Sequence, residues 1–518
     1  MRLPACVVTF LEDHRGLVIL LFCLPASFIF DLILLIKRWL RRTFFYSFYG
    51  PHTHEEKVRS IQAAVKRWNT LDPATRRPMC NSRPNWLSLS TTFVPKHQMH
   101  QIPLDLHEIL TVNVDKMTVT VEPLVTVRVM TKFLVPRGFT LACTLEIGDA
   151  TLGGLAMAVG MTTYSHKVGL FQETVASYEL VLADGTVVTV TKDNQYSDLF
   201  RCLPWSHGTL GFLTALELKI VSAKPYVLLE YTPVHGQEKY CSMLRQLSGA
   251  LDKDAVTPDF LEVTVFSRDS VVVMVGNFSD GSSATSADPR ARVNHVTRWY
   301  KPWFYKHVET FLHGGRCGRE LIPLEEYLLR HNRAIFWVLE SMIPFGNQPL
   351  FRLFFGWLCP PKPAFLKFST TSGIRELTFT KQVFQDLVLP MTALGASVDI
   401  AADTFDTFPL LIYPCRIYNH GQHSGQLRPP RPDQMTPGTN YGMFYDLGIY
   451  GTPGPVKRKE PYEAVRAMRT MEKFLRDWGG YSFLYADLFM TEQEFEFMDS
   501  VGSSGTILAI YDYSAQRS

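Results

Sequence analysis

Apolar and polar positions divide the chain into one membrane-like run, one leading helix and a long succession of strands. Leu17 to Ile36 is nearly all apolar, broken by Pro25 and Asp31, and about 20 such residues cross a bilayer core of about 30 Å as a helix. Asp31 lies close enough to the end of the run to reach the headgroups. A signal peptide shares this hydropathy, but the run is long for one and no small-x-small cleavage site precedes the basic residues. Thr53 and Glu56 then make a capping box, and Val58, Ile61, Val65 and Trp68 recur at helical spacing. Residues 77–125 read as short strands and turns, with Leu106 to Leu110 carrying the chain to Val119–Glu122. Leu261 to Phe266, Val271 to Val275 and Tyr445 to Ile449 read as strands, and Tyr462 to Trp478 as an amphipathic helix. Gln422 to Thr439, with four prolines and little apolar content, reads as a surface loop. Two aromatic runs, Ile335 to Leu339 and Leu350 to Leu358, are each too short to span. They are core helices, or an element dipping into the bilayer with Trp337 and Trp357 at headgroup depth and Arg352 reaching outward.

The length of 518 residues fits about three domains. Lys plus Arg of 52 against Asp plus Glu of 49 leaves a net charge of +3, and no basic tract with interleaved aromatics points to nucleic acid. The nine cysteines form no C-x-x-C pair, so neither a zinc site nor a disulfide framework is expected, and no metal is assigned. Lys37, Arg38, Arg41 and Arg42 follow the apolar run, whereas Arg2 and Arg15 precede it beside Glu12 and Asp13. The positive-inside bias places the following body in the cytosol, where the Asn277-Phe278-Ser279 sequon stays unmodified.

Candidate chemistry begins at Thr151 to Gly169, TLGGLAMAVGMTTYSHKVG, followed by Gly208-Thr209-Leu210-Gly211. Gly153 and Gly154 lack a Cβ, so their amides suit a close approach to a pyrophosphate, and Thr151, Thr162, Thr163 and Ser165 add hydroxyls. Most diglycine pairs are only tight turns. The spacing is neither the Rossmann fingerprint nor a Walker loop.

The surrounding order of residues resembles the flavin-binding domain of the vanillyl-alcohol oxidase superfamily. Val121-Glu122-Pro123-Leu124-Val125-Thr126, Gly138-Phe139-Thr140-Leu141, the hairpin Glu179 to Gly185, Ser197-Asp198-Leu199-Phe200 and Gly208 to Gly211 carry that likeness. Within the superfamily the chain is most similar to the delta-24 sterol reductases. Ser165-His166-Lys167-x-Gly169-Leu170-Phe171, Tyr300 to Phe304, Ile343 to Asn347 and Leu484-Tyr485-Ala486-Asp487 occur in the expected order. The resemblance implies an α+β fold: a membrane anchor over 1–50, a two-part PCMH-type FAD-binding domain over 51–225, and a substrate-covering α+β domain over 226–497. It implies noncovalent FAD, because the loop Cys80 to Trp86 lacks the histidine used for covalent attachment, with NADPH as reductant and the endoplasmic reticulum as host membrane. Cofactor contacts are expected at Arg83, Thr151, Leu152, Gly153, Gly154, Gly160, Met161, Thr162, Thr163, Ser165, His166, Gly208, Thr209, Leu210 and Gly211. For His166 a hydrogen-bonded structural role is the alternative.

An isolated trisubstituted alkene accepts hydride poorly. A general acid is therefore expected to protonate side-chain carbon 24, leaving tertiary positive charge at carbon 25 for hydride. Tyr485 is the first candidate for that acid, with Asp487 beside it; a strand-core tyrosine is the alternative. Lys301, Lys306 and His307 suit either surface snorkelling or cofactor phosphates, and Arg330 and His331 are read as a solvated helix face. The chain departs from the family at Ala158, where a cofactor-loop glycine is usual, at His207, and over 498–518, which replaces the family's closing segment. A flavin oxidase or dehydrogenase acting on an alcohol, lactone or hydroxy acid, and a noncatalytic sterol-binding membrane protein, are the competing readings.

Overall fold

A computed structural model of the chain describes residues 14–40, 53–88, 94–158, 160–282, 292–369, 380–421, 427–485, 488–491 and 493–494. The N-terminal run forms a helix whose stretch Arg15–Lys37 is long and apolar enough to cross a membrane. Its turn Ile19–Cys23 widens to a π-helix just ahead of Pro25, where a missing N–H breaks the regular ladder. The helix does not stand free of the body. Leu24 is fully buried, the Ser27 hydroxyl accepts from the Lys362 amide at 2.7 Å, and Asp31 pairs with Lys362 at 3.5 Å. The opposite side exposes Leu17, Leu21, Phe22, Ile29, Ile33 and Ile36.

Helix His54–Asn69 starts at the expected capping box, with Thr53 and Glu56 bonding reciprocally, and buries Val58, Ile61 and Val65. Strands β1 (Met79–Asn81) and β2 (His100–Ile102) pair in parallel. A six-stranded sheet follows, built from β3 (Ile109–Asn113), β4 (Thr118–Val121), β5 (Phe139–Leu141), β6 (Val175–Val181), β7 (Val187–Val190) and β8 (Phe212–Ser222) in the order β3-β4-β8-β6-β7, with β5 also on β8. Val119, Val121, Tyr178, Leu180, Leu216 and Leu218 alternate inward and pack against Val127, Met130, Leu134, Leu152 and Ala156.

Three residues after β8 the chain enters a second sheet of nine strands: β9 (Tyr226–His235), β10 (Phe260–Ser267), β11 (Ser270–Ser279), β12 (Arg292–Val293), β13 (Gly318–Pro323), β14 (Val383–Pro390), β15 (Leu410–Tyr418), β16 (Tyr441–Gly451) and β17 (Tyr481–Ser482). Their order is β12-β13-β9-β11-β10-β15-β16-β14-β17. The expected strands at 261–266, 271–275 and 445–449 lie inside β10, β11 and β16, and the amphipathic helix runs Ala464–Trp478. Both sheet faces are covered, which explains the continuous burial of β16. One face carries Val263, Leu387, Leu389, Ile412, Leu447 and Ile449 against Leu244, Val398, Phe405, Met471 and Leu475 of three helices. The other face turns Val388, Leu411, Tyr413, Cys415, Phe444 and Tyr450 toward Met161, Leu170 and Trp205 of the smaller-sheet unit.

Three expectations need correction. The proline-rich segment is more than a surface loop: within its described part Leu427, Gln434 and Thr436 are buried. Pro432 opens a short 3-10 turn, and the Gln434 amide donates to the Trp478 carbonyl at 3.0 Å. The two aromatic runs part company. Trp337 is buried, its indole N–H donating to the Tyr450 carbonyl at 2.8 Å, so it cannot sit at headgroup depth. Leu350, Leu353, Phe354 and Trp357 of the second run remain exposed; Arg352 folds back to the Tyr300 carbonyl at 2.8 Å instead of reaching outward. Arg330 and His331 are no solvated face: both are nearly inaccessible, because Glu262 of β10 neutralises them.

Candidate active site

The diglycine bend opens helix Leu152–Ala158. The amides of Leu152 and Gly153 donate to the carbonyls of Val125 and Pro123 at 2.9 and 2.8 Å. A Cβ on Gly153 would lie 2.3 Å from that of Pro123. Gly153 is thus glycine for packing, and its amide is already used, contrary to the expectation that it faces a pyrophosphate. Gly154 is exposed, and a Cβ there would meet only the Thr151 hydroxyl, at 2.9 Å. Of the pair, Gly154 is the one open to a ligand.

The following loop spends its side chains internally. The Thr162 hydroxyl donates to Glu146 at 3.0 Å, and the Ser165 hydroxyl accepts from the Thr162 amide at 3.0 Å. Thr163 accepts from the Tyr327 hydroxyl at 3.4 Å. His166 is fully buried, with Nδ1 3.1 Å from the Thr163 carbonyl and Nε2 2.8 Å from the Pro258 carbonyl. Burial holds its pKa down at about 4. The Thr163 hydroxyl and the His166 ring therefore join the loop to the covering domain, the hydroxyls of Thr162 and Ser165 are used within the flavin-binding domain, and none is offered to a cofactor. Gly160 and Met161 are buried beside them, Met161 facing the aromatic cluster of the covering sheet.

The closing loop comes to the diglycine helix through the His207 amide, which donates to the Met157 carbonyl at 3.1 Å. Trp205, His207 and Gly208 take positive φ of 68°, 50° and 79°, so the chain turns sharply and presents its backbone. A Cβ on Gly208 would touch nothing within 4 Å. His207, Gly208 and Thr209 are accessible to solvent, yet His207 lies deep enough that desolvation lowers its pKa to about 4. Leu210 packs into the flavin-domain core, and Gly211 lets β8 approach the Val181 carbonyl, 3.1 Å from where a Cβ would stand.

Arg83 sits in the first loop, its guanidinium donating to the Leu87 carbonyl at 2.8 Å. Desolvation lowers its pKa, and no carboxylate pairs with it among the described residues. Lys96 is likewise desolvated, held by the carbonyls of Asn81 and Arg83 at 2.8 and 2.5 Å. His107 lies between Arg83 and Leu124, which places this loop next to the Pro123–Val125 segment under the diglycine helix. Two desolvated cations without acids, exposed backbone at Gly154 and Gly208, and a glycine turn open on its Cβ side fit a bound dinucleotide pyrophosphate.

Across from these turns, one sheet face gathers acids. The Tyr485 and Tyr450 hydroxyls each donate to a different carboxylate oxygen of Asp386; Asp487 lies outside the described residues. Trp205 of the closing loop stacks on Phe483, with ring centroids 5.3 Å apart, so Tyr485 stands two residues from the loop contact. Glu262 binds Arg330 at 2.7 Å and His331 at 2.8 Å. Burial opposes its ionisation, but those two partners win and hold it at about 2. Glu146, 3.6 Å from Arg330, is raised by burial to about 7. Lys306 pairs with Glu309 and Glu340, and His307 with Glu320, so neither is a spare cation for a phosphate. Asp386, Asp446, Glu262 and Glu146 escaped the reading of the sequence. An acid flanked by apolar residues in a buried strand, as at Phe-Tyr-Asp446-Leu and Gln-Asp386-Leu-Val, was the available signal.

A model of the FAD binding domain family matches residues 87–191. Along nearly its full length the chain is similar to named sterol reductases. It is 38% identical over 487 residues to the human Delta(24)-sterol reductase, covering 94% of this chain and 88% of that protein. The Caenorhabditis elegans Delta(24)-sterol reductase homolog dhcr-24 is 34% identical over 504 residues (95% and 91%). The Arabidopsis thaliana Delta(24)-sterol reductase is 33% identical over 508 residues (94% and 87%). An FAD-binding half under a covering sheet, with acids and tyrosines aimed at the seam, is the build of an FAD oxidoreductase. Likeness at this level over both halves takes the assignment further: the chain belongs to the Delta(24)-sterol reductase family.

Proposed function

We propose that the protein reduces the side-chain delta-24 double bond of sterols such as desmosterol, with noncovalent FAD as its cofactor and NADPH as reductant, in sterol biosynthesis. One observation carries the reading beyond family membership. A single aromatic and aliphatic cluster runs from Met161 and Trp205 beside the glycine turns, through Tyr413, Tyr450 and Phe483, to Trp337, Ile343 and Leu24 of the apolar N-terminal helix. An apolar seam of this kind, continuous from the glycine turns to the membrane helix, suits a rigid apolar substrate arriving from lipid better than a sugar or hydroxy acid.

Backbone at Gly154 and Gly208, with Arg83 and Lys96, would hold the pyrophosphate, and Trp205 and Phe483 would border the ring. FAD, when bound, supplies the hydride chemistry; the chain orients the alkene, excludes water and provides the proton. Tyr485 Oη keeps that proton: burial and the neighbouring Asp386 carboxyl hold the phenol well above its ordinary pKa. Asp386, which accepts the Tyr485 O–H, holds the phenol oxygen in place, and the O–H turns from that carboxyl to the alkene for the transfer.

The body is held at the endoplasmic reticulum membrane by the N-terminal helix, as a single-pass anchor with the folded domains on the cytosolic side. Phe28 packs edge-on against Trp357, centroids 5.6 Å apart, and Phe30 against Phe365 and Phe368. The exposed face of Leu350, Leu353, Phe354 and Trp357 thereby adjoins the anchor and faces the same lipid, where a sterol would enter. Incubating the purified protein with NADPH and desmosterol tests the reading. Mass-spectrometric appearance of the side-chain-saturated sterol supports it, and unchanged desmosterol with the flavin bound overturns it.

A further inference from the structure

Asp386 of β14 and Asp446 of β16 project from the same face of the nine-stranded sheet. Asp386 stands opposite Gly448, and Asp446 opposite Val388 and, on its other side, Tyr413. The two carboxyls are therefore diagonal neighbours in one antiparallel pair, near enough for Asp386 to act on Asp446 through its charge. Gly448 leaves the space between them: a Cβ there would lie 2.7 Å from the Tyr450 hydroxyl and 3.0 Å from Asp386 Oδ1. Asp446 is buried, and its Oδ1 has no hydrogen-bond partner. Asp386 and Tyr485 remain partly accessible although they lie deep among protein atoms.

The groups facing this pair are Tyr450 from its own strand, Tyr485 from the segment after β17, Tyr413 and Cys415 from β15, and Glu146 from the flavin domain. None is a cation. Arg330 touches the Tyr413 hydroxyl at 3.3 Å and is already matched by Glu262. Two carboxyls in a dry site without a counter-charge do not both ionise. Burial raises Asp386 to about 6, and burial with the repulsion of Asp386 and Glu146 pushes Asp446 well above the usual carboxylate range.

We propose that Asp386 and Asp446 form one positioning pair that stores a proton behind Tyr485 and returns it after Tyr485 has protonated the substrate. The inference rests on the functional reading above. The Tyr485 O–H bond breaks as the C–H bond forms at carbon 24, and the phenolate takes a proton back from the pair through Asp386, the carboxyl it contacts. Water recharges the pair between turnovers. FAD, when bound and reduced by NADPH, would supply the hydride for carbon 25, so the pair undergoes no redox change.

The test compares wild type with Asp446→Asn and Asp386→Asn, each as full-length, FAD-loaded protein in detergent. Flavin reduction by NADPH and reoxidation by desmosterol are followed separately across pH. In wild type, reoxidation should fall as pH rises through the pair's titration. Asp446→Asn should leave flavin content and NADPH reduction within about twofold, slow reoxidation at least about tenfold at neutral pH, and move the alkaline limb to lower pH, because Asp446, the carboxyl that burial and the neighbouring Asp386 and Glu146 hold protonated, is gone. Variants with the wild-type limb and rate overturn the proposal. So does a wild-type reoxidation rate that is flat over about pH 5–9, a result that needs no variant to fold. Wild type that binds flavin but is not reoxidised by sterol overturns the functional reading itself, and is told apart by that first measurement.

Discussion

His166 Nε2 lies 2.8 Å from the carbonyl oxygen of Pro258, so a residue of the cofactor loop is stitched directly to the covering domain. The bond joins two units whose seam holds the candidate site, and the ring is fully buried. Burial sets its folded-state pKa near 4 against an ordinary 6.5. The unfolded chain therefore binds the extra proton first, and stability is fully present above about pH 6.5 and declines as pH falls toward 4. The loss attributable to this residue is at most about 3 kcal/mol. Denaturant melts of wild type and His166→Ala between these pH values check it: the variant should be less stable at neutral pH, by about 1–3 kcal/mol, and lack this component of the acid dependence.

Gly153 and Gly208 should respond differently to alanine. At Gly153 the new methyl meets Pro123 Cβ at 2.3 Å and its backbone at 2.9 Å, so the helix must move and stability should drop by about 2 kcal/mol or more. At Gly208 there is open space, and the cost is only that of φ +79° for a residue with a Cβ, about 1–2 kcal/mol. Thermal melts with and without added FAD separate the two. Gly153→Ala should fall in both conditions, whereas Gly208→Ala should mainly lose the stabilisation that FAD confers.

Tyr485→Phe removes the O–H donor and keeps the ring. Flavin content and bleaching by NADPH should be retained, while reoxidation by desmosterol slows by about 10²–10⁴-fold. Rapid-mixing absorbance of each half-reaction reads this. Full sterol turnover in the variant removes Tyr485 from the role.

Phe354→Glu combined with Trp357→Glu charges the exposed face, 61% and 55% accessible, beside the anchor. The core is untouched, so melting and NADPH reduction should not change. Turnover of sterol presented in vesicles should show a KM raised at least about fivefold, an effect that detergent-dispersed sterol removes. If the body is cytosolic, Asn277, exposed on β11, should carry no glycan, and deglycosylation should leave gel mobility unchanged.

Periodicity made much of this fold legible. The capping box at Thr53 and Glu56, the strands around 261–275 and 445–449 and the helix ending at Trp478 follow from local patterns that tertiary packing reinforces. The glycine turns were legible as turns, but not the division of labour within them. That Gly153 serves Pro123 while Gly154 is exposed and Gly208 faces open space depends on neighbours about thirty residues upstream or on a positive φ, neither of which a single sequence displays. The hydroxyls of Thr162 and Thr163 looked like cofactor donors because their partners, Glu146 and Tyr327, come from other elements. Arg330 and His331 misled for the same reason: their counter-charge, Glu262, is 68 residues from Arg330 along the chain. The acids Asp386 and Asp446 stand together only through the β14–β16 register.

The most direct measurement is anaerobic mixing of the purified yellow protein with NADPH and then desmosterol, followed at the oxidised-flavin absorbance. The colour should bleach with NADPH and return with desmosterol in proportion to saturated sterol formed. Colour that returns only on admitting oxygen, or protein that never carries flavin, would contradict it.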